Sequence, residues 1–439
     1  MNSATGPGPA VFALALTALI AAPVCAEVTA ITGATVHTVG PQGSIENAMV
    51  LIEDGIVTAV GNDLEIPVDA RRIDAVGKVV TPGLMTPMGQ IGLVEVDAVA
   101  GTVDFIQRGD QFSAGFDVAD AYNPRSSLVA INRIAGITHA VIAPDGASID
   151  QLGNYSRVLS GLASVVHLGD ADDYLLDRGV AVIAQLGETG GDLAAGSRAA
   201  ALMILRTAMD DARDYASNRD AFEQGRRRTY SLSHTDLAAL SAVLSGERKL
   251  VVDVHRASDI SAALRLAGDY DIQMIIVGGT EAWLVAAELA TAGVPVILDS
   301  IGNLPGSFER LNARLETAAI LAEAGVKFAV GGDSFSQNHN ARNITQAAGI
   351  AVANGLPWAE GLAAITLAPA EIFGLDEQIG SIEQGKRADL VIWNDDPLKL
   401  QSYPEQVMIG GRLVPMESRQ TLLRDRYLQS ESPLPPAFR

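Results

Sequence analysis

Short β-rich runs open the chain after residue 27. Residues 28–31, 35–38, 48–53 and 56–60 are rich in apolar and β-branched side chains, and Gly33, Gly40, Gly43 and the Asp54-Gly55 pair separate them. Asp-Gly between two such runs predicts a tight hairpin, so residues 27–80 are expected to form a small all-β unit. From Lys78 onward the period changes. Compact apolar runs at 79–81, 139–143, 180–185, 250–255, 273–277, 294–299 and 326–330 read as buried strands, with a further strand near 158–168. Between them the spacing predicts helices over 196–216, 258–268, 281–292, 309–324 and 341–354. Ala292-Gly293-Val294 and Ala324-Gly325-Val326 each place a glycine cap directly before a buried strand. Repeated βα units with about eight strands predict a closed (β/α)8 TIM-like barrel over 81–375, with a long insertion at 101–135 after the first barrel strand.

The β pattern returns at 389–393 and 407–409, followed by the Gly410-Gly411 turn. These late strands are expected to pair with the early ones. The α/β barrel would then be inserted into a small β-sandwich built from both chain ends, 27–80 and 376–416. A charged helix over 417–428 and a Pro-rich tail complete the chain. At the other end, residues 10–22 form an uncharged apolar run of 13 residues, too short to span a bilayer. Val24 and Ala26 follow at the spacing a signal peptidase reads. Residues 1–26 are therefore expected to be a signal peptide, Glu27 the first mature residue, and the protein exported, to the periplasm.

Composition narrows the function. The 439 residues hold 48% hydrophobic and 19% charged side chains, enough apolar material for a large core. With 52 acidic against 31 basic residues the net charge is -21, which disfavours nucleic acid and anionic membranes as partners. The expected partner is a small-molecule ligand or substrate. The single cysteine, Cys25, excludes disulfide scaffolds and multi-cysteine metal sites. The stretch Gly191-x4-Gly196-Ser197-Arg198 has the spacing of a phosphate loop but carries Arg where Lys is required, and no Gly-x-Ser-x-Gly elbow occurs.

Three segments resemble the amidohydrolase superfamily, in particular its imidazolonepropionase-like members. They are GSIEQGKRADLVIW at 380–393 followed by Asp395-Asp396-Pro397-Leu398, TLAPAEIFGL at 366–375, and the 33–61 hairpins leading to VVTPG at 79–83. The resemblance implies the barrel-in-sandwich fold and a hydrolase acting on C–N bonds of non-peptide or cyclic amides. It also implies a divalent metal, zinc, at the C-terminal mouth of the barrel, where bound water becomes hydroxide. The family pattern has six ligand positions, and two of them match here. Met88 and Gln90 stand where two histidines belong, no Lys occurs between Lys78 and Lys249, and the Gly278-Gly279 pair occupies a further histidine position. His255 and Asp333 are retained.

The resemblance therefore implies a depleted metal centre. Asp333 and His255 are its catalytic residues and its only matched ligands. Met88, Gln90, Thr280 and His339 are the expected substrate-binding residues. Glu95, Gln185, Glu188, Asn340 and Arg342 are further polar candidates near the mouth, and the remaining histidines read as structural. A thioether and a neutral amide are poor zinc ligands, so any ion would be held weakly. The same replacements leave a second reading open, an exported non-catalytic binding protein on the same fold.

Overall fold

The computed structural model describes residues 28–107, 109, 111–145, 157–169, 172–331 and 338–428. The first strands are β1 (Val28–His37), β2 (Ser44–Glu53), β3 (Ile56–Gly61), β4 (Arg71–Asp74) and β5 (Val79–Pro82). They are followed by β6 (Leu84–Gly89), β7 (Ile137–Ile142), β8 (Leu159–His167), β9 (Leu175–Gln185) and β10 (Lys249–Val254). Next come β11 (Met274–Gly278), β12 (Val296–Leu298) and β13 (Phe328–Val330), then β14 (Leu390–Trp393), β15 (Pro404–Ile409) and β16 (Arg412–Leu413).

One sheet joins the two chain ends in the order β16-β15-β14-β5-β1-β2-β3, with β4 also pairing β1. The hairpin between β2 and β3 turns on Asp54 (φ 49°) and Gly55 (φ 82°), two successive positive φ values that match the right-handed twist of the strands. The ends meet at β5, which runs parallel to β1 and antiparallel to β14, with Val391 opposite Thr81. The Trp393 indole N–H donates to Thr81 Oγ1 at 2.9 Å across this seam, so a large buried ring keeps its polar atom partnered. The sequence groups the 79–81 run with the buried barrel strands while drawing the domain boundary through it, at residue 80. The structure instead gives it to the end-built sheet and starts the barrel at β6. The change of sheet falls at Gly83, where a Cβ would lie 2.1 Å from Thr138 Oγ1.

The second sheet has the order β13-β12-β11-β10-β9-β8-β7-β6 and is nearly closed, with β6 lying against β13. A Cβ on Gly331, just after β13, would be 2.6 Å from Pro87 Cγ on β6. Strands β9 to β13 are consecutively parallel, and β6 is parallel to β7. Strand β8 departs from the expected pattern, running antiparallel to both neighbours. The short link from His167 to Leu175 explains this, because a parallel return needs a crossover of a dozen or more residues whereas a hairpin does not.

Side chains alternate across the barrel wall. Ala181, Ile183, Val251, Ile275, Val277, Ile297 and Ala329 pack together inside with Met85, Met88 and Val141. Their neighbours Val182, Ala184, Val252, Val254, Ile276, Leu298 and Val330 face the surrounding helices. Helix Leu367–Phe373 packs under this interior and contributes Ala370, Ile372 and Phe373 to it. The glycine caps behave as the sequence implies, with Gly293 at φ 63° and Gly325 at φ 75°. The predicted helices at 281–292, 309–324 and 341–354 are each shorter. They begin as 3-10 turns, Ala282–Val285, Phe308–Arg310 and Ala341–Asn343, and their α-helical parts are Ala286–Ala292, Thr317–Glu323 and Ile344–Ala353. A buried carboxylate helps to tie down the 101–135 insertion. Asp236 Oδ1, at the start of helix His234–Leu244, accepts the backbone N–H groups of Ser113 and Gly115. Among the described residues no helix is long and apolar enough to cross a membrane.

Candidate functional site

The alternation that fills the barrel with apolar groups changes character at the C-terminal strand ends. Continuing the inward positions one step gives Gln185 after Ile183, Asp253 after Val251, His255 after Asp253, and Asp299 after Ile297. On β6 the inward Met88 is followed by Gln90. Gln185 and Asp253 are register partners in parallel strands, so they project from the same face. A polar rim thus sits on an apolar floor at the strand ends where barrel enzymes carry their chemistry.

His255 is 5% exposed, and both of its ring nitrogens are engaged. Nε2 lies 2.6 Å from Arg310 Nη2. A guanidinium can only donate, so Nε2 is the acceptor and the proton resides on Nδ1. Nδ1–H then donates to Thr280 Oγ1 at 2.9 Å. Asp253 Oδ1 stands 3.5 Å from Nε2. Burial, and secondarily the charge of Arg310, push the imidazole pKa down to about 3, so the ring is neutral at physiological pH. The ring lies directly over Gly278 (φ 84°), where a Cβ would come within 2.3 Å of His255 Cε1. Thr280→Val should strand the Nδ1 proton without an acceptor and cost about 1–3 kcal/mol, while Thr280→Ser should retain most of the stability. Urea unfolding of the two variants checks this, and equal stabilities would show that the bond is not made.

The loop after β12 supplies two inward groups. Arg310 reaches His255, and its neighbour Glu309 is 5% exposed. Glu309 Oε2 accepts the Glu188 backbone N–H at 2.7 Å and lies 3.6 Å from Arg198 Nη2. Burial raises the Glu309 pKa, with the nearby Glu188 charge adding to the effect. Gly187 makes this approach possible, since a Cβ there would lie 2.6 Å from Glu309 Oε2.

Of the residues singled out from sequence, His255 and Thr280 are in direct contact, and Met88 and Gln90 face the same interior. Gln185 belongs to the same rim. His339 does not join them. It is exposed and lines a separate cavity of about 350 Å³ with Glu95, Asp97, Arg342 and Arg419. Asp333 lies outside the described residues. Sequence reasoning missed Asp253, Asp299, Glu309 and Arg310. Strand alternation carried back from His255 finds Asp253, and the end of the 294–299 run finds Asp299. Arg310 sits in a long loop with no periodicity to mark it. Among the described residues no group of three or more His, Cys, Asp or Glu side chains is placed to hold a metal ion.

The structure thus joins a nearly closed eight-stranded barrel, with a polar rim at its C-terminal strand ends, to a sheet made from both ends of the chain. The sequence profile of the amidohydrolase family matches residues 207–414. A crystal structure of an amidohydrolase from Thermotoga maritima MSB8 superposes with a TM-score of 0.78 at 26% identity, covering 88% of this chain and 99% of that one. The amidohydrolase tasK of Hapsidospora irregularis is 24% identical over 394 residues, 82% of this chain; the match spans only 39% of that longer protein. A Xaa-Pro dipeptidase with bound methionine shares the fold, with a TM-score of 0.53 at 17% identity over 88% of this chain and all of that one. Over residues 207–414 the chain is similar to the amidohydrolase family, and its likeness to the Thermotoga maritima amidohydrolase extends along most of its length.

Proposed function

We propose that the protein is a hydrolase acting on C–N bonds of non-peptide or cyclic amides, working at the barrel mouth with a depleted metal centre. The observation that carries this reading is the replacement of apolar interior residues by Gln185, Asp253, His255 and Asp299 at the strand ends, in a chain similar to the amidohydrolase family. The donor chemistry among the described residues does not fit a catalytic zinc. The Nε2 lone pair of His255 already accepts from Arg310, and a cation placed there would meet the guanidinium charge. Met88 and Gln90 offer a thioether and an amide.

Arg310, oriented by the neutral His255, brings a fixed positive charge to the rim. Asp333, assigned from sequence, is the general base in this reading. One positioned carboxylate supplies about 10²–10⁴-fold in rate, which suits a strained or activated amide rather than an ordinary peptide bond. Activity against a panel of strained cyclic amides should therefore survive dialysis against a chelator, and Asp333→Asn should reduce it by about 10²–10⁴-fold. Loss of activity on chelation, restored by zinc, would overturn the depleted centre.

The engagement of both His255 nitrogens favours a second reading, a non-catalytic ligand-binding protein. Saturable binding without turnover of any panel member would select it. In either case we propose export, on residues 1–26, which lie outside the described residues. N-terminal sequencing of protein from its native host should begin at Glu27, and an intact Met1 would refute this.

A further inference from the structure

Two side-chain amides at the rim are buried without a partner for their oxygens. Gln90 is 1% exposed and Gln185 is 3% exposed, and Oε1 of each accepts no hydrogen bond among the described residues. Their backbones are bonded: Gln185 N–H donates to Val158 O at 2.7 Å, and Gln90 O accepts from Leu93 N–H at 3.0 Å. The side chains alone are left over. Both continue inward positions, Gln90 after Met88 and Gln185 after Ile183, on strands separated by β7 and β8 around the wall. An unpartnered buried amide oxygen destabilises the fold, and two on one rim are not explained by packing, since the residues below them are apolar.

We propose that Gln90 and Gln185 form a recognition pair for an uncharged ligand group that presents a hydrogen-bond donor beside an acceptor, a primary or cis-secondary amide. The chemistry selects this class. A glutamine amide has one acceptor oxygen and two donor hydrogens, and its two ends exchange by rotation. A carboxylate would satisfy only the donors and leave both oxygens stranded. An ammonium would satisfy only the oxygens. An amide edge offers both kinds of group, its N–H to the oxygen of one glutamine and its C=O to the N–H of the other. The proposal rests on the reading of the barrel mouth as the working site, and it specifies what the mouth grips once histidine ligands are replaced.

The test uses the full mature chain and three probes, 2-pyrrolidinone, its N-methyl derivative and cyclopentanone, with affinities measured by ligand-observed NMR titration. The wild type should bind 2-pyrrolidinone at least tenfold more tightly than either analogue. Gln90→Leu and Gln185→Leu should each erase that preference and weaken 2-pyrrolidinone at least tenfold. Their thermal midpoints should be unchanged or higher, because each change removes a buried amide oxygen that has no partner in the free protein. Gln185→Met provides a second variant of similar length should the branched side chain perturb packing. A wild type with no N–H preference, a preference that persists in both variants, or variants that melt lower would each overturn the proposal. Amide turnover unaffected by both substitutions would overturn it and leave the hydrolase reading standing. N–H-selective binding with no turnover of any amide would uphold the pair and remove the hydrolase reading.

Discussion

Lowering the pH from 7 to 4.5 is expected to reduce the stability of the folded chain by about 5 kcal/mol through two buried histidines. His139 and His255 are both neutral in the fold. Burial holds His139 down to about 4, with Asp389 opposing and Arg387 and His167 adding to the effect. Burial and Arg310 hold His255 down to about 3. In the unfolded chain each titrates near 6.5, so between these values the unfolded state binds more protons. Stability is therefore fully present above the unfolded pKa and is lost as pH falls through this window, by about 2–3 kcal/mol per histidine at pH 4.5. His37 and His167, also lowered by burial, act in the same direction, whereas Glu309, raised by burial, opposes it. Urea unfolding at constant ionic strength measures the slope. His255→Gln should make it shallower by about 1.4 kcal/mol per pH unit between pH 4 and 6. A profile flat to within about 1 kcal/mol would mean that these rings are protonated in the fold.

His139 also shows how much of the architecture was legible. Its strand was visible as an apolar run, and its structural role followed from its failure to match a ligand position. Its partner Asp389 comes from the 380–393 motif, 3.4 Å from Nε2, and so links barrel to end-built sheet. Long motifs in the right order specify such tertiary pairings, because each encodes a turn and a strand together. The reversal of β8 was not legible. Residues 158–168 are buried along their whole length, Ser160, Ser164 and His167 included, so the pattern cannot report direction, and only the short link to β9 constrains it.

The site divides along the same line. His255, Met88 and Gln90 were found because strand-end positions can be counted from sequence. Arg310, which decides what His255 can do, could not be counted. It lies in the loop after β12, and nothing periodic connects residue 310 to residue 255. Spacing located the histidine, and only the three-dimensional arrangement showed that its free lone pair is taken.

Restoring a side chain at Gly278 should be among the most damaging single changes in the barrel. The family pattern expects a histidine in the Gly278-Gly279 pair, and the His255 ring occupies the space above Gly278. A Cβ there would lie 2.3 Å from Cε1, 2.7 Å from Nδ1 and 2.9 Å from Nε2. The ring cannot swing aside without breaking its bonds to Thr280 and Arg310. The backbone at φ 84° adds strain for any side chain. Together, overpacking and strain should cost Gly278→Ala about 2–5 kcal/mol, and Gly278→His more. Gly293→Ala is the control. Its φ of 63° is also positive, yet no atom lies within 4 Å of a Cβ there, so it should show the backbone cost alone, about 1 kcal/mol. The difference between the two alanine variants isolates contact with the imidazole. Combining Gly278→Ala with His255→Ala should recover about 1–3 kcal/mol of that difference, because neighbours that share a contact are non-additive. Equal losses at positions 278 and 293, or strict additivity in the double variant, would show that the ring does not rest on Gly278, and a histidine at 278 could then rebuild a metal ligand.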